Sequence, residues 1–504
     1  MQNSRPPSVS RLVDALVRAC AAHAEGTALD GDDLRLTYRD LLGEASALAG
    51  RLRAAGVGER RVVMVKCSNH PSDFVAFLAV WMAGAAAAPV HRTSPADVVD
   101  AMQTRARCIC SLDLLAGSWP ASVAALSPEQ APDEARQRLL DDAALVIFTS
   151  GSTGLPKGAV LSDRAFHGKL LQNQRLFRPT AETVSLLVLN NTFSFGIWVA
   201  LMTLLQGARV VVRARFTPAS LVDTLVSRRV TFAAVVPTMI RATFGSFAPD
   251  ELEAARLRIA EAGALRQVVI GGEPLGEQLS ARLRAFIEPA VLYDVYGLTE
   301  TSTSDFWLEP GDYPARGASI GRPAPGVRYR VVGDRGRQCA AGVAGELQLR
   351  TPYIMAGYLG DEELTARAFS DGWLRTGDLA TSDADGFVTI VGRLKELIVR
   401  GGNKLTPIEV ERALVKCAGV ADAMVVGMPD PILGQRIHAL LVPHAADAIG
   451  IAQVRRELAR VLEKYKCPDV FYVGTSLPTG RTGKIDRGRL QASIAAGTLR
   501  PVEE

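Results

Sequence analysis

The chain has 504 residues, of which 48% are hydrophobic and 22% charged, and its 57 basic and 53 acidic side chains leave a net charge of +4. This length predicts at least two domains around large cores, and the lack of any sustained basic run argues against nucleic-acid or anionic-membrane partners. Seven scattered cysteines (Cys20, Cys67, Cys108, Cys110, Cys339, Cys417 and Cys467) share no repeated pair spacing, which argues against a zinc site and fits free thiols in a reducing cytoplasm.

From Arg11 onward, helical periodicity alternates with short apolar runs. Val62-Val63-Met64-Val65 reads as the first buried strand. The uncharged stretch from Phe74 to Val90 approaches the length of a membrane span, but Gly84 and Pro89 interrupt it. A helix, a turn near Gly84 and a short strand ending at Val90 is the better reading, so no membrane span is expected. Strands follow at Leu145–Phe148, Ser185–Leu189, Val210–Val212, Phe232–Val236 and Val268–Ile270, with helices at Ala219–Arg229 and Gly276–Phe286. This alternation predicts an α/β fold of doubly wound, parallel sheets, with ligands collected at the carboxyl ends of strands.

From Gly317 the pattern turns to short strands between Gly/Asp turns: Val327–Val332, Gly345–Arg350 and Gly386–Val391. A β-rich, barrel-like subdomain over 317–391 is expected. After Arg393 a smaller α+β unit begins, where Thr406-Pro407-Ile408-Glu409 has the form of a capping box opening a helix to Lys416. Strands at Val420–Gly427 and Ile437–Pro443 and a helix at Ile451–Leu462 complete it. The boundary falls at Leu394-Lys395, dividing the chain into 1–394 and a mobile 395–504.

The motifs sit between these elements. Thr149-Ser150-Gly151-Ser152-Thr153-Gly154-Leu155-Pro156-Lys157-Gly158 follows the strand ending at Phe148. Its glycines admit close backbone approach to an anion, while its hydroxyls and lysine add donors and charge, as polyphosphate requires. Pro156 before Lys157 and Gly158 after it exclude a Walker A loop, and with it a kinase-like or motor ATPase. Further on come Gly271-Gly272-Glu273-Pro274, Tyr293-Asp294-Val295-Tyr296-Gly297-Leu298-Thr299-Glu300, Arg375-Thr376-Gly377-Asp378, Gly392-Arg393-Leu394-Lys395 and Arg481-Thr482-Gly483-Lys484-Ile485-Asp486-Arg487. Any one of them could be an ordinary turn or a solvated surface; their joint occurrence in order is the signal.

In that order, across nearly the whole chain, they resemble the adenylate-forming superfamily of acyl-CoA synthetases, aryl-CoA ligases, luciferases and peptide-synthetase adenylation domains. The resemblance implies an ATP-dependent ligase that forms acyl-AMP from a small carboxylic acid. It implies that Thr149, Ser150, Gly151, Ser152, Thr153, Gly154 and Lys157 hold the β- and γ-phosphates. Thr299 would donate to the α-phosphate, and Glu300 would help to hold Mg2+. Gly271, Gly272, Glu273, Pro274, Tyr296 and Gly297 would line the adenine, with Asp294 near its amino group. Asp378 would accept from the ribose hydroxyls beside Arg393, and Lys484 would bridge the reacting carboxylate and α-phosphate. Lys395 falls at the family's hinge, and Gly401-Gly402 resembles the loop along its pantetheine tunnel.

Two departures bear on the acid. Phe193 stands where many acyl-CoA synthetases carry His, and it can gate but not titrate. Gly196 stands where domains selecting amino acids carry Asp, which disfavours an α-amino acid. Phe193, Phe195, Gly196, Trp198 and the Ser302-Thr303-Ser304 stretch are expected at the acyl pocket, with a core role for Trp198 as the competing reading. A small aryl or short-to-medium acyl acid would suit such a pocket. The acceptor thiol is coenzyme A on the first reading; the alternative is the phosphopantetheine arm of an acyl or peptidyl carrier protein.

Overall fold

Short runs rich in Val, Ile and Ala form parallel strands here because helices cover both of their faces. The computed structural model describes residues 10–115, 124–125, 134–149, 156–444, 449–480 and 485–502. Among them a seven-stranded sheet sets Ala143–Thr149, Ala86–His91, Val62–Cys67 and Cys110–Leu112 in parallel, with Lys157–Ser162 folding back antiparallel on Ala143–Thr149. A nine-stranded sheet, counted over the same residues, aligns Thr27–Asp30, Arg209–Val212, Val184–Leu187, Phe232–Val235, Gln267–Gly271 and Val291–Tyr296 in parallel. Antiparallel strands finish its edges, so the fold is α/β with mixed sheets.

The helices Pro71–Met82, Asp163–Phe177 and Ser194–Leu204 contribute to one buried cluster with strands of both sheets. That burial explains the apolar stretch from Phe74 to Val90. Pro71–Met82 is buried on almost every side, Gly84 turns at φ 85°, and Ala86–His91 is a strand. Among the described residues no helix is long and apolar enough to cross a membrane.

Arg328–Val332, Gly345–Arg350, Phe369–Ser370, Trp373–Ser382 and Val388–Arg393 form an antiparallel sheet. Two short strands of the stretch 317–391 pair outside this sheet. Arg322–Pro323 extends the nine-stranded sheet, and Gly357–Tyr358 pairs with Lys157–Ser162 in the seven-stranded one. Two-residue strands carry no period for a sequence reading to detect.

Beyond Arg393, the hairpin Ile398–Arg400 and Asn403–Leu405 is followed by the helix Pro407–Leu414. Val420–Asp430 pairs antiparallel with Gly434–Pro443, which pairs parallel with Val470–Val473. These elements enclose their own cluster, including Val410, Leu414, Val425, Ile437 and Phe471. The expected capping box is only half present. Thr406 Oγ1 accepts from the Glu409 N–H at 3.3 Å, but the Glu409 carboxylate pairs with Lys466 Nζ at 2.6 Å. A charge-assisted bond to an ammonium outcompetes the return bond to a backbone amide.

Candidate active site

Three motif loops leave the carboxyl ends of strands Ala143–Thr149, Gln267–Gly271 and Val291–Tyr296, where ligands of parallel sheets gather. Thr149 faces Lys157 across the antiparallel pair, so the glycine-rich loop joins two strands rather than a strand and a helix. Ser150, Gly151, Ser152, Thr153 and Gly154 lie outside the described residues. Lys157 Nζ stands 5.7 Å from the centroid of the Tyr358 ring, and the Tyr358 hydroxyl donates to Glu300 Oε1 at 2.6 Å. Lys157 and Glu300, from two separate motifs, thus both reach one tyrosine. Sequence reasoning missed Tyr358, which sits on a two-residue strand. Glu300 shares a short 3-10 turn with Thr299, and its carbonyl accepts from the Met355 N–H at 2.7 Å.

Gly271 and Gly297 are required by close backbone approach. A Cβ on Gly271 would lie 2.4 Å from the Val295 carbonyl oxygen, and one on Gly297 would lie 2.1 Å from the Ser304 nitrogen. The backbone that Gly297 abuts is itself unusual. Ser302, Thr303 and Ser304 all take left-handed φ, at 60°, 68° and 64°. Such a run in non-glycine residues is strained and persists only where the surroundings over-determine it. Those surroundings are visible: Ser302 Oγ donates to the Tyr353 carbonyl, Thr303 Oγ1 and Ser194 Oγ share a bond of 2.6 Å, and the Ser304 carbonyl accepts from Lys169 Nζ at 3.0 Å. Lys169 also meets Asp305 Oδ1 at 3.1 Å, both side chains having 0% exposure. Burial pushes each toward its neutral form, Lys169 downward and Asp305 upward, and each charge opposes that push on the other. Sequence reasoning missed this pair as well, although a lysine on the apolar stripe of Phe166, Leu170 and Phe177 was the available signal.

Asp294 lies on Val291–Tyr296 in register with Ile270, and burial pushes its carboxyl up to about 7. Two residues on, the Tyr296 hydroxyl donates to Asp378 Oδ2 at 2.6 Å, and Arg393 Nε meets Asp378 Oδ1 at 2.8 Å. Asp378 and Arg393 are cross-strand partners of Trp373–Ser382 and Val388–Arg393, so sheet register alone brings two separate motifs together. Burial and the neighbouring Asp378 charge push the Tyr296 phenol well up, keeping it a donor.

Gly272 turns at φ 91°, and Pro274 beyond it is exposed. The Glu273 side chain between them is 5% exposed and meets Arg241 Nη1 at 3.3 Å. It also accepts from the Ile485 N–H at 2.6 Å. That residue follows Lys484, which lies outside the described residues. Lys395 is exposed in the 3-10 turn Leu394–Glu396. Gly401 and Gly402, at φ 54° and 82°, form the tip of the hairpin after Arg400. Positive φ at both positions matches a type I′ turn, which by itself accounts for the glycine pair.

Among the expected acyl-pocket residues, Phe193 caps the amino end of Ser194–Leu204 and is half-buried, as is Phe195. Trp198 is wholly buried, stacked on Phe195 at 5.3 Å and on Phe177 at 5.9 Å between ring centroids, so it belongs to the core. A Cβ on Gly196 would lie 2.6 Å from the Asn190 carbonyl oxygen. Backbone packing therefore accounts for this glycine locally, without reference to substrate charge.

Residues 16–359 match the AMP-binding enzyme family, and residues 409–484 match the AMP-binding enzyme C-terminal domain. The feruloyl-CoA synthase of Amycolatopsis sp is 31% identical over 497 residues, covering 94% of this chain and 97% of that protein. The fatty acid–acyl-carrier-protein ligase ScoC of Streptomyces coeruleorubidus is 29% identical over 494 residues, covering 93% of each. The solved structure of o-succinylbenzoate CoA synthetase from Bacillus subtilis, in complex with its acyl-adenylate intermediate, has a TM-score of 0.78 to this chain at 23% identity, covering 95% of this chain and 97% of that one. With more than half of its length matched, this chain belongs to the AMP-binding enzyme family.

Proposed function

We propose that the chain is an ATP-dependent acid–thiol ligase. A carboxylate oxygen attacks the α-phosphorus of ATP, the bond to the β-phosphate breaks, and pyrophosphate leaves acyl-AMP behind. The thiol of coenzyme A then loses its proton and attacks the acyl carbon, and AMP departs as the thioester forms. The observation that carries this reading is the bond from the Ile485 N–H to Glu273, which brings the segment following Lys484 to the rim of the nucleotide motifs.

In the first step two anions must meet. On this reading Lys484 is assigned to bridge the carboxylate and α-phosphate, and Thr299 to donate to the phosphate. Lys157 and the glycine-rich loop hold the departing pyrophosphate. Such donors act most strongly where the site excludes water. Asp378, oriented by Tyr296 and Arg393, accepts from the ribose hydroxyls with its remaining lone pairs. Among the described residues no group of three or more His, Cys, Asp or Glu side chains could hold a metal. A lone carboxylate such as Glu300 fits Mg2+, which takes most of its remaining ligands from phosphate and water. When bound there, the ion would offset phosphate charge. For the second step, residues 395–504 turn about Leu394-Lys395, bringing the Gly401-Gly402 hairpin to the thiol.

Coenzyme A is favoured as acceptor by the likeness to a feruloyl-CoA synthase along nearly the full length of both chains. A carrier-protein arm is the second reading, favoured by the likeness to ScoC. The test is pyrophosphate release from Mg-ATP across aryl, fatty and amino acids, with and without coenzyme A. Acid-dependent release that turns over fast only with coenzyme A is the expected result. Release indifferent to coenzyme A would favour the carrier protein, and none with any acid would refute the ligase.

A further inference from the structure

One guanidinium reaches carboxylates in both family-matched regions. Arg241, on the helix Pro237–Ser246, directs Nη1 to Glu273 at 3.3 Å and Nε to Asp422 at 2.8 Å. Glu273 lies in the nucleotide-side motif, whereas Asp422 lies on Val420–Asp430 of the smaller unit. The nearly buried Glu273 carboxylate needs compensation. It receives a charge from its own domain and the Ile485 N–H from the other. Other bonds across this boundary, from Gln278 to the Val415 carbonyl and from Arg412 to the Ile390 carbonyl, end on main-chain oxygens. Among these contacts, the Arg241–Asp422 pair is the one whose two partners are both side chains, and Asp422 lies outside both hinge and motifs.

We propose that Arg241 and Asp422 are positioning residues that hold the smaller domain in the adenylation orientation by linking it to Glu273. Neither residue touches the reacting atoms. The guanidinium fork is what permits it: two of its faces serve two carboxylates at once, as an ammonium could not in fixed geometry. Turning the domain about Leu394-Lys395 separates Asp422 from Arg241 and removes the Ile485 N–H from Glu273, while Arg241 and Glu273 stay together. The bridge to Asp422 therefore stabilises one orientation and is absent from the other. Differential stabilisation of this kind sets the population of an orientation.

This inference rests on Lys484 being the adenylation lysine. Lys484→Ala tests that reading alone, because it leaves Arg241 and Asp422 in place; retained adenylation there would refute the reading without touching the kinetic split that tests the pair. For the pair, Asp422→Asn and Arg241→Gln are made singly and together. Acid-dependent ATP–pyrophosphate exchange is measured alongside consumption of supplied acyl-AMP by coenzyme A. For Asp422→Asn the expected result is a fall in exchange kcat of about fivefold or more, with the KM for ATP unchanged and the thioester step unchanged or faster; Arg241→Gln, which also leaves Glu273 without its charge, should show the same split between the two steps and in addition raise the KM for ATP. The double variant should be no worse than the poorer single one, because the residues act as a unit. Equal losses in both steps, no loss in exchange, or additive losses in the double variant would overturn the proposal. If Asp422→Asn does not fold, Arg241→Gln reads the same bridge from the other domain.

Discussion

Replacing Lys169 by Met tests whether the buried ion pair supports the site. The substitution keeps length and apolar contact but leaves Asp305, at 0% exposure, without its counter-charge. The Ser304 carbonyl also loses the ammonium that now donates to it at 3.0 Å. Removing one partner of a buried pair costs about 3–5 kcal/mol, and the orphaned carbonyl lies within that range. Asp305 would respond by taking up a proton, the direction in which burial already pushes it. Lys169→Met with Asp305→Asn removes both charges and leaves an amide that can accept from Thr301, so most of the loss should return. All five tryptophans (Trp81, Trp119, Trp198, Trp307 and Trp373) precede the proposed boundary, so urea unfolding followed by their fluorescence reports on the larger domain. A loss below about 1 kcal/mol for the single variant, or a double variant less stable than the single, would refute this account. Adenylation should fall in parallel, since the same ammonium steadies the left-handed turn behind Gly297.

Three further outcomes follow from the geometry. Burial in the folded chain pushes the Asp294 carboxyl up from its ordinary 3.8 to about 7. The folded chain therefore keeps a proton that the unfolded chain releases, and this group's contribution to stability falls as pH rises from about 4 to 7, by at most about 4 kcal/mol, then levels off; Asp294→Asn should flatten that slope in urea midpoints taken between pH 5 and 8, and an unchanged slope would contradict it. Gly297→Ala forces a Cβ to 2.1 Å from the Ser304 nitrogen, so it should cost about 1–3 kcal/mol and lower pyrophosphate exchange; a variant with native stability and exchange would show that the turn yields freely. Lys395→Pro restricts the backbone at the proposed hinge and should impair thioester formation more than adenylation, whereas equal losses in single-turnover assays would place the hinge elsewhere.

The parallel strands were legible because each is a short apolar run bounded by turn residues, as at Val62–Cys67 and Gln267–Gly271. The motifs were legible one by one, but their contacts were not. Asp378 and Arg393 meet through antiparallel register, and Tyr296 reaches Asp378 from another sheet. Lys169 with Asp305 and Arg241 with Asp422 join residues far apart in sequence, and such pairings leave no local period. The same limit explains the half-formed capping box: Thr406 and Glu409 fit the pattern, but Lys466 claims the carboxylate. Gly196 shows the converse. A glycine read as a missing counter-charge has a steric reason in the Asn190 backbone.

Oxygen-18 tracing tests the central claim most directly. An acid labelled in both carboxylate oxygens is turned over with Mg-ATP and coenzyme A, and the nucleotide and phosphate products are analysed by mass. Attack of the carboxylate on the α-phosphorus leaves one labelled oxygen in AMP and none in pyrophosphate. Label in inorganic phosphate with ADP as the nucleotide product would mean an acyl-phosphate route and would contradict the account.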